Sequence, residues 1–297
     1  MPLSYSSTVV LQTRLPAMRR LLLWMVLLLT CSRPLHASSW NELPLLFGQG
    51  GNRQQITLQT RQLDVERVEI FSPLYGVDQN PTAGHWQVNP TVPSGITVQP
   101  KAKQGGFHWI QARQERGSSV IVASTVHYFS EPAPSPRTML QQPKAELEII
   151  PMPLPREFAR YRAGEEWSFL LRFRQQPLTN AIVHFHSEQE IQKRLSSDGN
   201  GMVRIRFPEK FSLPESHNGA PSAKPTSGRH DRLPLIRFAL LAEHVADGRE
   251  YQTTFSQSYA PDPYFDKSLA SGAGFALLGM LCATPLLRRP KPVPARP

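Results

Sequence analysis

Cysteine is nearly absent from this chain, and its two copies, Cys31 and Cys282, both fall inside apolar segments near the ends. The long middle therefore holds no disulfide, no thiolate nucleophile and no cysteine-ligated zinc. It also lacks a surplus of charge. Of the net +10, eight charges come from Arg14, Arg19, Arg20 and Arg33 at one end and Arg288, Arg289, Lys291 and Arg296 at the other, with no acid in either stretch. The remainder is close to neutral, with no basic stripe interleaved with aromatics, so nucleic acid is not an expected partner. Long helical periodicity is missing between residues 38 and 267, as are a Gly-x-Ser-x-Gly elbow, a His-Glu-x-x-His helix and a phosphate-cradling glycine loop. These absences point away from an enzyme, and no catalytic residue and no cofactor is nominated.

What is present at the ends reads as an address. Met18-Arg19-Arg20 precedes the apolar run Leu21 to Thr30, and Ala37 closes the segment with a small side chain. That is the outline of a signal peptide over residues 1–37, with Met18 a candidate true start and Ser38 the first mature residue. Leu28-Leu29-Thr30-Cys31 loosely imitates a lipid-attachment box, but Thr30 is larger than the residues preferred before such a cysteine. At the other end, the 20 residues from Ser268 to Leu287 carry no charge. At about 1.5 Å per residue they span a hydrocarbon core of roughly 30 Å. The basic flank Arg288-Arg289-Pro290-Lys291 predicts a transmembrane helix over 268–287 and a cytoplasmic tail over 288–297. A processed sorting tail is the alternative. The expected location is the inner membrane, single-pass, with the ectodomain in the periplasm.

Between the ends, short alternating apolar runs predict a mainly β protein. Strands are expected at 55–60, 65–71, 96–101, 106–113 and 118–129, the last two forming a hairpin that turns near Glu115-Arg116-Gly117. Prolines 132, 134, 136, 143, 151, 153 and 155 mark residues 131–155 as a semi-rigid linker running into the first strand of the second half. Seven further strands follow between 145 and 258, with positive-φ turn residues at Ser197-Asp198-Gly199-Asn200-Gly201 and Ala246-Asp247-Gly248-Arg249, and a polar insertion at 212–230. The expectation is two β-sandwich, immunoglobulin-like domains, 38–130 and 145–267.

Three fragments carry a family resemblance. Gly105-Gly106-Phe107-His108-Trp109 leads into Val122-Ala123-Ser124-Thr125 and Tyr128-Phe129-Ser130. Glu146-Leu147-Glu148-Ile149-Ile150-Pro151 precedes Tyr161-Arg162-Ala163-Gly164-Glu165, and Gln176-Pro177-Leu178-Thr179-Asn180-Ala181 is followed by the Asp198-Gly199 turn. Over roughly residues 100–267 the chain resembles an uncharacterised periplasmic β-sandwich family labelled as periplasmic or accessory components of nickel and cobalt uptake transporters. The resemblance implies an envelope protein partner, with transporter subunits among the candidates. Many relatives begin with a histidine-containing motif, whereas the mature chain here begins Ser38-Ser39-Trp40.

Histidines are the candidate metal donors, for nickel or cobalt. His184 and His186 share one strand face, and His108 and His127 lie diagonally across the predicted hairpin. Tyr75 and Trp86 bracket an expected loop, 72–89, that could present a recognition surface. The reading is a non-enzymatic, membrane-anchored binding or assembly module. Direct periplasmic nickel or cobalt binding is the alternative, and an envelope hydrolase with a site hidden from linear sequence is the third class.

Overall fold

The computed structural model describes residues 39–260, except 53, 66, 78–82, 90–94, 102–103, 156–159 and 210–234, together with 277–280 and 283. The expected signal peptide, the 212–230 insertion and nearly all of the expected 268–287 span lie outside the described residues. Among the described residues no helix is long and apolar enough to cross a membrane.

The first half runs β1 (Leu45–Gly51), β2 (Ile56–Arg61), β3 (Val68–Phe71), β4 (His85–Val88), β5 (Ile96–Val98), β6 (Gly106–Arg116) and β7 (Ser119–Phe129). After a short helix, α1 (Arg137–Gln141), come β8 (Leu147–Pro151), β9 (Tyr161–Arg162), β10 (Glu166–Phe173), β11 (Gln176–Pro177), β12 (Ile182–Ser187), β13 (Gln192–Ser196), β14 (Met202–Arg206), β15 (Ile236–Ala246) and β16 (Arg249–Ala260). The protein is mainly β, as its alternating patterns require. The β6–β7 and β15–β16 hairpins turn on Gly117-Ser118 and Asp247-Gly248, where Gly117, Asp247 and Gly248 take positive φ. In the turn before β14, Asp198 Oδ1 accepts from the backbone N–H groups of Asn200 and Met202 at 2.8 and 2.9 Å.

Three sheets result. A large one has the order β13-β12-β15-β16-β7-β6-β3-β4, with β9 also pairing β16. Two small ones are β1-β2-β5 and a group in which β10 pairs β8, β11 and β14. Alternation along β6 and β7 sends Trp109, Val122 and Val126 into one core with Phe169 and Leu171 of β10, and Ile110, Ala112 and Phe129 into another with Leu46 and Leu58 of β1 and β2. The small sheets thus cover opposite faces of the large one.

The two halves meet within that large sheet, because β16 pairs β7 in parallel from Glu250↔Ser119 to Phe255↔Ser124. The first sheet is also fastened across the boundary. Thr254 Oγ1 donates to the Pro44 carbonyl and Ser256 Oγ to that of Leu46, while Trp40, Leu43, Leu45 and Phe47 pack on Ala239 and Leu241 of β15. A sheet thus runs unbroken across the boundary expected at 131–155. The stretch 72–89, read from sequence as a loop, contains β4, whose four residues register against Val68–Phe71.

Candidate functional site

His108 and His127 face each other directly across the β6–β7 hairpin rather than diagonally. Directly opposed residues of an antiparallel pair point to the same face, here the one carrying Phe129, whose ring is 4.9 Å from His108 and 4.7 Å from His127. Trp86 closes on His108 edge-on at 5.5 Å, and His108 Nδ1 lies 3.1 Å from the Gly106 carbonyl. Burial holds both imidazoles down to about 4. Both are neutral aromatic groups at neutral pH, His108 fully buried and His127 half-buried.

His184 and His186 do share one face of β12, with ring centroids 6.2 Å apart. Their cross-strand partners on β15 are Leu241 and Ala239, so they open on the face covered by the Trp40–Phe47 segment. His186 is buried, neither of its ring nitrogens has a hydrogen-bond partner among the described residues, and desolvation followed by the neighbouring His184 holds it down to about 4. Among the described residues no group of three or more histidine, cysteine, aspartate or glutamate side chains gathers around one point. A tight transition-metal site takes three or four donors.

Tyr75 and Trp86 are both half-buried. The Tyr75 hydroxyl donates to the Pro143 carbonyl at 3.1 Å, and its ring packs on Phe71 and His85. Trp86 is half-buried on β4 between His108 and the Lys101 ammonium, which stands 5.1 Å from its ring centre.

Two features escaped the sequence reading. One is a buried ionic cluster within the proline-rich segment. Lys144 Nζ lies 3.4 Å from Glu148 Oε1 and 4.9 Å from the centre of the Trp109 ring, and donates to the carbonyls of Met139 and Gln142. Arg172 of β10 donates to Glu148 Oε2 at 2.8 Å and to the carbonyls of Gln141 and Gln142. On the other side Gln111 of β6 donates to the Lys144 carbonyl. Desolvation, with Arg172 adding to it and Glu148 opposing, brings the Lys144 ammonium down to about 8. The cluster bolts the segment to both halves.

The other is a cleft of about 420 Å³ between the halves. It opens where the sheet forks. Past Phe255↔Ser124 the two parallel strands stop pairing, and β16 takes β9 as its neighbour at Tyr259↔Tyr161. Thr125 and His127 point to one face of β7, Val126 and Tyr128 to the other, and all four line the cleft, so the opening lies in the plane of the sheet. Phe47, Ile56, Phe107 and Pro155 supply apolar wall, and Arg160 and Arg237 supply guanidinium groups. Arg237 stacks 4.8 Å from the Phe47 ring centre and donates to Glu188 Oε2 at 2.7 Å; Arg61 approaches the same ring at 5.5 Å. Apolar walls with a few convergent charged groups are the make-up of a ligand site.

No protein-family model and no curated protein matches this chain. Among solved structures it is similar to a two-domain fibronectin type-III segment of chicken tenascin, with 10% identity, 73% of this chain and 98% of that one covered, and a TM-score of 0.22. It is also similar to apo beta-glucuronidase 3 of Bacteroides uniformis, with 11% identity, 74% of this chain and 25% of that one covered, and a TM-score of 0.20. Scores this low carry no argument about fold or chemistry, and the architecture rests on the strand pairing above.

Proposed function

We propose that this chain is a non-enzymatic binding or assembly module, held at the inner membrane with its β-rich part in the periplasm, and that the cleft at the sheet fork is where it engages its partner. The observation that carries the reading is the cleft itself: aromatic and aliphatic walls with two guanidinium groups, set between two halves that are hydrogen-bonded to each other. Such a lining recognises a shape and a charge and holds them on a rigid frame. The basic, then apolar, start of the chain and the uncharged stretch 268–287 with its basic flank support the address. The family resemblance makes a component of a nickel or cobalt uptake complex the first partner to look for.

A photo-crosslinking phenylalanine analogue at Tyr128, on the cleft wall, tests this in intact cells. A discrete adduct in the membrane fraction, absent when the analogue replaces exposed Arg194, is the expected result. Identical patterns at the two positions would end the proposal. A reporter fused after Pro297 adds the topology: activity on the cytoplasmic side is expected.

Direct capture of nickel or cobalt is a second reading, favoured by the ring nitrogens of His186, which have no hydrogen-bond partner among the described residues, beside His184. Calorimetric titration of the full chain with each ion decides it, since loss of the heat in His184→Ala and His186→Ala is expected of real ligands.

A further inference from the structure

One cation of the cleft is held in a fixed pose. Arg237 on β15 is clamped twice by a single carboxylate: its backbone N–H donates to Glu188 Oε1 at 2.8 Å and its Nε to Glu188 Oε2 at 2.7 Å. The Phe47 ring lies against the same guanidinium, 4.8 Å from ring centre to Cζ. With Nε and one face taken, the two Nη groups remain, and they donate to no described residue. An arginine pinned in this way presents a preformed planar fork of the kind that takes a carboxylate, with little side-chain freedom left to lose on binding.

A hydroxyl stands beside it. Ser258 registers directly against Arg237 across the β15–β16 pair, so both side chains point to one face, and both residues line the cleft. Among the described residues Ser258 Oγ has no hydrogen-bond partner, and Arg160, exposed on the same lining, has neither a hydrogen bond nor an ion pair. The charge is one-sided. Among the described residues no acid lines the cleft, and Glu188 behind it is already held by Arg237. The crowding of cations shows at Arg61, on the Phe47 ring, whose guanidinium is shifted downward by burial and then by Arg237. The remaining wall is apolar, from Ile56, Pro155 and Phe107, the last packed edge to face on Tyr128 at 5.0 Å. A volume of about 420 Å³ suits one side chain or one small molecule.

We propose that the cleft takes a carboxylate carried on an aromatic body, with the carboxylate on the Arg237 Nη groups and the Ser258 hydroxyl, Arg160 adding attraction, and the body against Phe107 and Pro155. This rests on the cleft being the binding site, and names what it binds. A free organic acid and the last residue of a polypeptide partner both offer that chemistry, and the test separates them.

The test is calorimetric titration of the full chain in detergent with 3-phenylpropionate, its uncharged amide, acetate, and a glycine-rich tetrapeptide ending in phenylalanine with its terminus either free or amidated. Saturable binding of a carboxylate form is expected, with the matching amide at least tenfold weaker and acetate giving no heat. Binding of the free-ended tetrapeptide assigns the site to a polypeptide end; binding of 3-phenylpropionate alone assigns it to a small organic acid, and either upholds the proposal. Arg237→Gln abolishes the heat. Ser258→Ala and Arg160→Gln, both outside the buried core, weaken binding several-fold with the melting temperature unchanged. Equal binding of acid and amide overturns the charge assignment, and equal binding of acetate overturns the role of the apolar wall. Affinity unchanged in both Ser258→Ala and Arg160→Gln puts the anion elsewhere and overturns the site. Adducts at Tyr128 in cells together with no heat from any carboxylate would remove this inference and leave the binding-module reading standing.

Discussion

Glu148 is the carboxylate on which two buried cations depend, and single substitutions in this cluster separate by size. Glu148→Ala leaves Lys144 and Arg172 facing each other in the core, and removing one side of a buried ion pair costs roughly 3–5 kcal/mol. Lys144→Met removes a desolvated cation, keeps the Arg172–Glu148 pair and retains apolar contact with Trp109, so its cost should be well under half of that. Urea midpoints of the two variants give the comparison, and equal losses would contradict the arrangement. The buried histidines set a pH dependence. His108, His127 and His186 sit near 4 when folded against about 6.5 in an unfolded chain, so the unfolded state binds more protons between those values. Stability is fully present above pH 6.5 and falls as pH drops toward 4, by at most about 1.4 kcal/mol per pH unit for each histidine. Denaturation at pH 7 and 5 should show the loss, and His108→Leu should make it shallower. A flat profile would mean these rings are not desolvated. None of this was legible in the sequence, where the histidines were nominated as donors from spacing on strands; spacing gives a face but not what covers it.

At the scale of elements, two glycines separate close approach from backbone conformation. A Cβ on Gly105 would stand 2.0 Å from the Glu131 carbonyl oxygen, in the crossing just before β6. Gly105→Ala must push backbone from backbone, and should cost at least about 2 kcal/mol. At Gly117, in the β6–β7 turn, a Cβ would meet nothing within 4 Å, and only its φ of +57° opposes a side chain. Gly117→Ala should therefore cost about 1 kcal/mol. Thermal melts of both variants check the order. The Gly117 turn was readable in the sequence from its position between two alternating runs, whereas the demand at Gly105 comes from a residue 26 positions away. The strands β1, β4, β9 and β11 were missed for a related reason. Short strands such as β4, with its half-exposed pattern, carry little periodicity of their own and exist because an edge was available to pair with.

For the whole described body, the parallel β7–β16 pairing, the hydroxyl bonds from β16 to β1 and the Lys144 cluster tie the two halves into one unit. Calorimetric unfolding should give a single transition for residues 39–260 of the intact chain, with calorimetric and van't Hoff enthalpies in agreement. Two separated transitions would restore the picture of independent sandwiches joined by a spacer. By itself the sequence determined the β class, the β6–β7 hairpin, the turns at Asp198 and Asp247 and the near-neutral middle, because alternation, turn chemistry and charge are local and repeat every few residues. Only the tertiary structure decided that the proline-rich stretch is anchored in the core, that the halves share one sheet, and that this sheet forks around a cationic cleft. Those depend on which strand edges and which buried charges meet across more than a hundred residues of chain, and no local pattern encodes such a meeting.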